Sequence, residues 1–281
     1  MTVAVFELAS VSFSYQRSRP AVSAVSLAVQ PKEMVACLGA NGSGKSTLLK
    51  MMDGLLFPQE GTIAFLGQKL DETVLQSPEF NRIFRSKVGL VFQNSDAQLF
   101  CSSVFEEIAF GPMHLGVPQE QIKQRVEDLL VLFRIERLRD RPPGQLSSGE
   151  KKRVALAAVL AANPDVLLLD EPTETLDPRS RSQLVDIILD LQEAGKTIIT
   201  ATNDLEVVPE IADRIYILDD KQTIMATGEP EVLLKDRALL EKAQLVHAHS
   251  HRHRGQRHKH PHWHGPHGAS EHHTSEEDLA D

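Results

Sequence analysis

Gly39-Ala40-Asn41-Gly42-Ser43-Gly44-Lys45-Ser46-Thr47 fits the pattern G-x-x-x-x-G-K-[ST], a loop whose glycines let backbone N–H groups approach phosphate oxygens. Before it stands Met34-Val35-Ala36-Cys37-Leu38, short and apolar, as a buried strand is. After it Leu48, Leu49, Met51 and Met52 predict a helix ending near Gly54. Strand, glycine loop and helix are the context the pattern needs, because the helix N-terminus adds positive potential at the phosphates. At this spacing Lys45 reaches the β- and γ-phosphates of a nucleoside triphosphate and Ser46 holds Mg²⁺, with Thr47 beside it.

Working outward, Val3–Ser12 and Val22–Val29 read as strands, separated by a basic, proline-containing turn that follows Phe13-Ser14-Tyr15. Gly61–Gly67 is another strand, and Leu70–Phe84 is polar and ambiguous. Val88–Phe92 is a strand ending at Gln93. From about 95 to 162 the pattern turns helical: Val104–Phe110, Gln119–Phe133 and Ser147–Ala162, broken at Gly111-Pro112, Val117-Pro118 and Arg141–Gly144. The α/β rhythm then resumes. Asp165–Leu169 is the near-continuous apolar run of a central parallel strand. Arg179–Ala194 is helical, Thr197–Thr202 a strand, Leu205–Ala212 a short helix, Arg214–Gly228 a hairpin and Glu231–Leu245 helical. The predicted fold is α/β, with a helical insertion in the frame.

A chain of 281 residues buries a sizeable core as one large domain or a domain with a subdomain. Its net charge of −9 gives no global attraction to nucleic acid or anionic lipid. Two cysteines, Cys37 and Cys101, exclude a disulfide scaffold; both read as small apolar residues. No apolar run approaches the roughly 20 residues of a membrane-spanning helix, and Met1–Ser10 lacks the basic-then-apolar pattern of a signal peptide. A membrane role is therefore expected to come through a partner.

Two further stretches carry chemistry. Val166–Leu169 leads into Asp170-Glu171. An Asp at a strand end beside a phosphate loop can hold Mg²⁺, directly or through water, and the following Glu is placed to orient or deprotonate an attacking water. Leu146-Ser147-Ser148-Gly149-Glu150 opens a helix, and Ser147-x-x-Glu150 is a capping box that still presents a dipole and a hydroxyl to an anion.

Together these motifs, in this order, resemble the nucleotide-binding subunit of ATP-binding-cassette (ABC) transporters over about residues 2–245: Tyr15, the loop Gly39–Thr47, Gln93, Leu146–Glu150, Asp170-Glu171 and Leu176-Asp177. The resemblance implies an ABC-type ATPase core over 1–246, namely a mixed sheet with flanking helices and an antiparallel β subdomain. It further implies a helical signature subdomain at about 95–162 and a helical extension at about 229–246. It implies ATP and Mg²⁺ as cofactors. The nucleotide would be held by Tyr15, stacked on adenine, and by Gly39, Ala40, Asn41, Gly42, Ser43, Gly44, Lys45, Ser46 and Thr47. Ser46, Gln93 and Asp170 would hold Mg²⁺, and Glu171, Gln93 and Asn203 would serve hydrolysis. Ser147 and Gly149 would contact the ATP of a second chain, with Asp177 at the dimer interface, a homodimer being preferred to a heterodimer. Integral membrane subunits would dock on the segment after Gln93, at the cytoplasmic face of a prokaryotic membrane, with no role for nucleic acid.

Asn94–Phe100 and Val104–Pro112 resemble energy-coupling-factor importers, especially their cobalt/nickel branch, as does Glu231–Val246. An importer of vitamins built the same way, and a slow nucleotide-binding scaffold, are the alternative readings. Three departures bear on turnover: Asn203 stands where the family has histidine, Ser148 and Glu150 replace the commoner Gly and Gln, and Glu174-Thr175 is bulkier and more acidic than usual. Asn203 donates a hydrogen bond but carries no charge, so hydrolysis is expected to be slow.

From His247 to Asp281 the composition changes. Eleven of the twelve histidines lie there, almost without aliphatic residues, so the segment is predicted to be a disordered tail. His247, His249, His251, His253, His258, His260, His262 and His264 are candidate ligands for Ni²⁺, Co²⁺ or Zn²⁺.

Overall fold

The computed structural model describes residues 3–16, 19–253 and 256–263. The chain begins with an antiparallel pair, β1 (Phe6–Phe13) and β2 (Val22–Val29), and then enters the core as β3 (Met34–Leu38), every residue of which is buried. The glycine loop turns it into α1 (Lys45–Met52). Next, β4 (Glu60–Phe65) returns to pair with β1, and β5 (Gln68–Lys69) completes a four-stranded antiparallel sheet of order β2-β1-β4-β5. The polar stretch that the sequence leaves ambiguous folds as α2 (Glu72–Leu75) and α3 (Pro78–Lys87), started by Asp71 and Ser77 as side-chain caps. Each buries little besides Leu75 and Phe84, which is why no apolar stripe announces it.

After β6 (Val88–Val91) come α4 (Val104–His114), α5 (Gln119–Leu132) and α6 (Ser148–Ala161). The helical insertion is as predicted, with one correction: α4 does not break at Gly111-Pro112 but carries Pro112 inside the helix. Pro112 is buried against the core, so packing compensates for the lost hydrogen bond. The frame resumes with β7 (Val166–Asp170), α7 (Pro178–Glu193), β8 (Thr197–Thr202), α8 (Val208–Ile211), β9 (Arg214–Leu218) and β10 (Ile224–Gly228). The helix expected over Glu231–Leu245 is two short ones, α9 (Pro230–Leu233) and α10 (Arg237–Lys242), the second capped by Asp236.

Six strands form the central sheet in the order β10-β9-β3-β8-β7-β6. All its pairs are parallel except β10 with β9. Leu38 lies beside Thr202, Asp170 beside Ala201 and Val91 beside Leu169. The register therefore ends β3, β8, β7 and β6 at one edge, and the residues that follow those strands, Gly39, Asn203, Glu171 and Gln93, gather there. The carboxyl ends of parallel strands are where α/β sheets place ligands. One face of the sheet packs with α1 against the antiparallel sheet, through Phe6, Leu48, Met52 and Leu168. The other packs against the helical insertion and α7, through Leu130, Val154, Leu167 and Ile188. Burying each such side chain contributes about 1.5–3 kcal/mol.

Of the predicted tail, residues 247–253 and 256–263 are described, and the rest lies outside the described residues. β11 (Val246–His253) and β12 (Gln256–Trp263) pair antiparallel, with His247 opposite His262, His249 opposite His260 and His251 opposite His258. Poverty in aliphatic residues argues against a packed core, but a ladder of backbone hydrogen bonds does not require one. His264 lies outside the described residues. Among the described residues, no helix is long and apolar enough to cross a membrane.

Candidate functional site

At the shared strand edge lies a cavity of about 570 Å³, lined by Tyr15, Arg19, Asn41, Gly42, the loop end from Gly44 to Thr47, Gln93 and Glu171. Its floor is the glycine loop. Gly44 caps α1 at φ 102°, and a Cβ there would stand 2.2 Å from the Ala21 carbonyl oxygen. A Cβ on Gly39 would meet Ser43 Oγ at 2.3 Å. Position 44 therefore requires glycine, whereas a side chain at 39 would displace the Ser43 hydroxyl. Ser43 is buried, and its hydroxyl has no hydrogen-bond partner among the described residues. An orphan donor in a glycine cradle at a helix N-terminus fits a phosphate chain.

Lys45 and Glu171 meet at the centre. Lys45 Nζ donates to the carbonyl oxygens of Gly39 (2.7 Å) and Ala40 (3.3 Å) and lies 3.3 Å from Glu171 Oε1, with side-chain exposures of 5% and 7%. The Asn203 N–H donates to Glu171 Oε2 at 3.2 Å. Burial pushes the Glu171 carboxyl above its ordinary range, while Lys45, Thr202 and Asn203 oppose that. Glu171 also adopts φ 43°, a conformation that L side chains rarely keep unless their surroundings impose it. Here its N–H is tied to the Ala201 carbonyl on β8. Next to this pair, Ser46 Oγ donates to Asp170 Oδ1 at 2.8 Å. Burial raises the Asp170 carboxyl too, offset by Ser46, Lys50, Lys45 and Lys152. A hydroxyl and a buried carboxylate in contact, with the oxygen-bearing Gln93 lining the same cavity, are the hard donor set that suits Mg²⁺.

The structure thus brings together Tyr15, the loop, Gln93, Asp170, Glu171 and Asn203. Tyr15 is largely exposed at the rim, its hydroxyl 3.4 Å from Thr47 Oγ1, and Asn203 Nδ2 donates to Asn41 Oδ1 at 3.3 Å. Ser147, Gly149 and Asp177 are not among the residues lining the cavity. Ser147 caps α6 within a complete capping box, and its hydroxyl also donates to Glu150, which Arg137 holds at 3.0 Å. Asp177 caps α7. Burial pushes the Cys37 thiol up to about 12, and burial and Glu107 push Cys101 up to about 11, so both thiols stay protonated.

The sequence reading assigned no contact in the site to several residues. Arg19, in the basic turn, lines the cavity, and only its charge pointed to it. Lys152 is buried on α6 and donates to the carbonyls of Gln93 (3.0 Å) and Phe92 (3.3 Å), while Lys151 Nζ lies 2.5 Å from Asp96. Buried Glu107 on α4 accepts from the N–H groups of Phe100 and Cys101. Glu174 accepts from Gln93 Nε2 at 2.7 Å.

Residues 22–174 match the family model described as ABC transporter. The chain belongs to the ABC transporter family. It is an ABC ATPase, in which ATP hydrolysis is coupled to transport. An ABC transporter ATP-binding protein of Caldanaerobacter subterraneus subsp. tengcongensis is 50% identical over 243 residues, covering 86% of this chain and 99% of the relative. The nickel import ATP-binding protein NikO of Rhodobacter capsulatus is 44% identical over 244 residues, covering 86% and 95%. Among solved structures, CbiO1 of Clostridium perfringens, part of the ABC transporter complex CbiONQ, superposes with a TM-score of 0.72 at 34% identity, over 86% of this chain and 95% of that one.

Proposed function

We propose that this ABC ATPase powers import of a transition-metal cation, nickel or cobalt, through a transporter of the energy-coupling type. It works as a head-to-tail homodimer bound to integral membrane subunits at the cytoplasmic face. The observation that carries the ATPase half of this reading is the cluster of buried Lys45, Glu171 and Asp170 with half-buried Ser46 at the glycine loop. In it Gly39–Thr47 cradles the phosphates, with Lys45 on the β- and γ-phosphates. Ser46, Asp170 and Gln93 would hold Mg²⁺, which would supply positive charge against the phosphate oxygens. Glu171 accepts the proton of the attacking water, with Gln93 and Asn203 positioning that water, and Tyr15 packs on the base. Ser147 and Gly149, outside the cavity of their own chain, face the nucleotide of the partner, and Asp177 lies at the same interface.

Support for the cargo comes from the NikO and CbiO1 likenesses and from the histidine-rich segment after Val246. Alternating imidazoles suit borderline cations such as Ni²⁺, Co²⁺ and Zn²⁺, and the register of β11 with β12 sets three pairs of histidine positions opposite one another. The alternating spacing of His247–His264 in the sequence would make this stretch a loose metal collector of low selectivity. The test is uptake of radioactive nickel and cobalt into vesicles that hold this chain with the membrane subunits co-purifying with it. ATP-dependent accumulation of either ion is expected. ATP hydrolysis without accumulation of either refutes the cargo, and accumulation of a vitamin instead replaces it.

A further inference from the structure

We propose that Glu174 is a positioning residue that fixes which end of the Gln93 amide faces the nucleotide cavity. The proposal rests on the reading of Gln93 as an Mg²⁺ ligand. Gln93 lines the cavity, and its Nε2 donates to Glu174 Oε2 at 2.7 Å. An amide has two ends of similar shape and opposite chemistry, whereas an ionised carboxylate only accepts hydrogen bonds. The bond to Glu174 therefore commits the nitrogen and leaves Oε1 as the free end. Mg²⁺ binds oxygen, so the committed orientation is the one a cation requires. An anionic partner on the N–H side also shifts electron density toward Oε1, as carboxylates behind metal-ligating side chains do.

The rest of the surroundings hold this arrangement in place. The backbone of Gln93 is pinned from the other side by Lys152, through hydrogen bonds to the carbonyls of Phe92 and Gln93. Lys152 is buried, and burial pushes its ammonium below the ordinary range, opposed by the carboxylates of Asp170, Glu174 and Glu171. Glu174 itself stands in a tight turn. Its N–H donates to the Glu171 carbonyl, and the turn contains two non-glycine residues of positive φ, Glu171 at 43° and Thr175 at 65°. A small residue at 174 would leave the Gln93 amide free to present either end. The acidic side chain that looked anomalous in the sequence thus sets the amide's sense.

The experiment measures Mn²⁺, in place of Mg²⁺, binding to the full chain with a non-hydrolysable ATP analogue, following free Mn²⁺ by electron paramagnetic resonance. Glu174→Ala is expected to weaken Mn²⁺ binding on the order of tenfold, with metal-free affinity for the analogue unchanged. Gln93→Ala is expected to do the same, and the double variant to bind no more weakly than Gln93→Ala alone. Glu174→Gln, which keeps the shape but offers both an acceptor and a donor, is expected to fall between wild type and Glu174→Ala. Wild-type Mn²⁺ affinity in the folded Glu174 variants, or a further loss when Glu174→Ala is added to Gln93→Ala, overturns the proposal. Wild-type affinity in Gln93→Ala instead overturns the reading of Gln93 on which it rests.

Discussion

Replacing Glu171 by glutamine separates the chemistry of this site from its architecture. The side chain keeps its size, and an amide oxygen still accepts from the Asn203 N–H, as Glu171 does at 3.2 Å. Removing one partner of a buried ion pair ordinarily costs 3–5 kcal/mol, because the other charge is stranded. Lys45 is not stranded, since Gly39 O at 2.7 Å and Ala40 O at 3.3 Å remain. The loss of stability is therefore expected to be about 1 kcal/mol, the scale of one hydrogen bond. Hydrolysis loses far more. A positioned general base contributes about 10²–10⁴ in rate, or about 3–5 kcal/mol of activation free energy. Nucleotide affinity is expected to hold or rise, because an anion beside the γ-phosphate has been neutralised. Phosphate release in single turnover, together with equilibrium binding of ATP, measures both. A rate within twofold of wild type, or a fall in rate matched by an equal fall in affinity, would show that Glu171 is not the base.

Asn203→His restores an imidazole beside Glu171 and Asn41 and is expected to raise turnover about tenfold, worth ~1.4 kcal/mol; unchanged phosphate release would mean that the water is held otherwise. Gly44→Ala places a Cβ 2.2 Å from the Ala21 carbonyl at φ 102°, and is expected to lower ATP affinity at least about tenfold, since the left-handed backbone alone costs ~1–2 kcal/mol; wild-type binding in a calorimetric titration would show that the loop yields. Asp53 is buried, and its pKa is raised from 3.8 to about 6 by burial, against the pull of Arg85. Between those values the folded chain holds a proton that the unfolded chain has released, so stability falls as pH rises through that window, by up to ~3 kcal/mol. Urea unfolding of Asp53→Asn at pH 4.5 and 7 should lack that part of the slope, and identical slopes in both proteins would contradict it.

The site was legible where its chemistry is local. The run from Met34 to Thr47 codes strand, loop and helix in consecutive residues, and Val166–Glu171 does the same for the carboxylates. The contacts that join distant segments were not legible. Gln93 and Glu174 are 81 residues apart and meet only because β6 and β7 are neighbours, an order that no pattern within either strand encodes. Lys152 reads in sequence as one charge in a polar first turn, although the fold buries it. Helices α2 and α3 were hidden because each has only one buried apolar side chain. In the segment after Val246 composition spoke against a core but was silent on backbone pairing.

The first turn of α6 has a wider consequence. Lys151 and Lys152 tie it to Asp96 and to the carbonyls of Phe92 and Gln93, while Ser147 caps the same turn. These bonds join the segment after Gln93 to the exposed end of α6. Such a joint has no preferred direction of signalling. Whatever free energy a protein docked on the 94–100 segment contributes to closure over ATP, bound ATP must return to that docking, because linkage is reciprocal. A change in nucleotide occupancy and a change of partner are then two readings of one coupling.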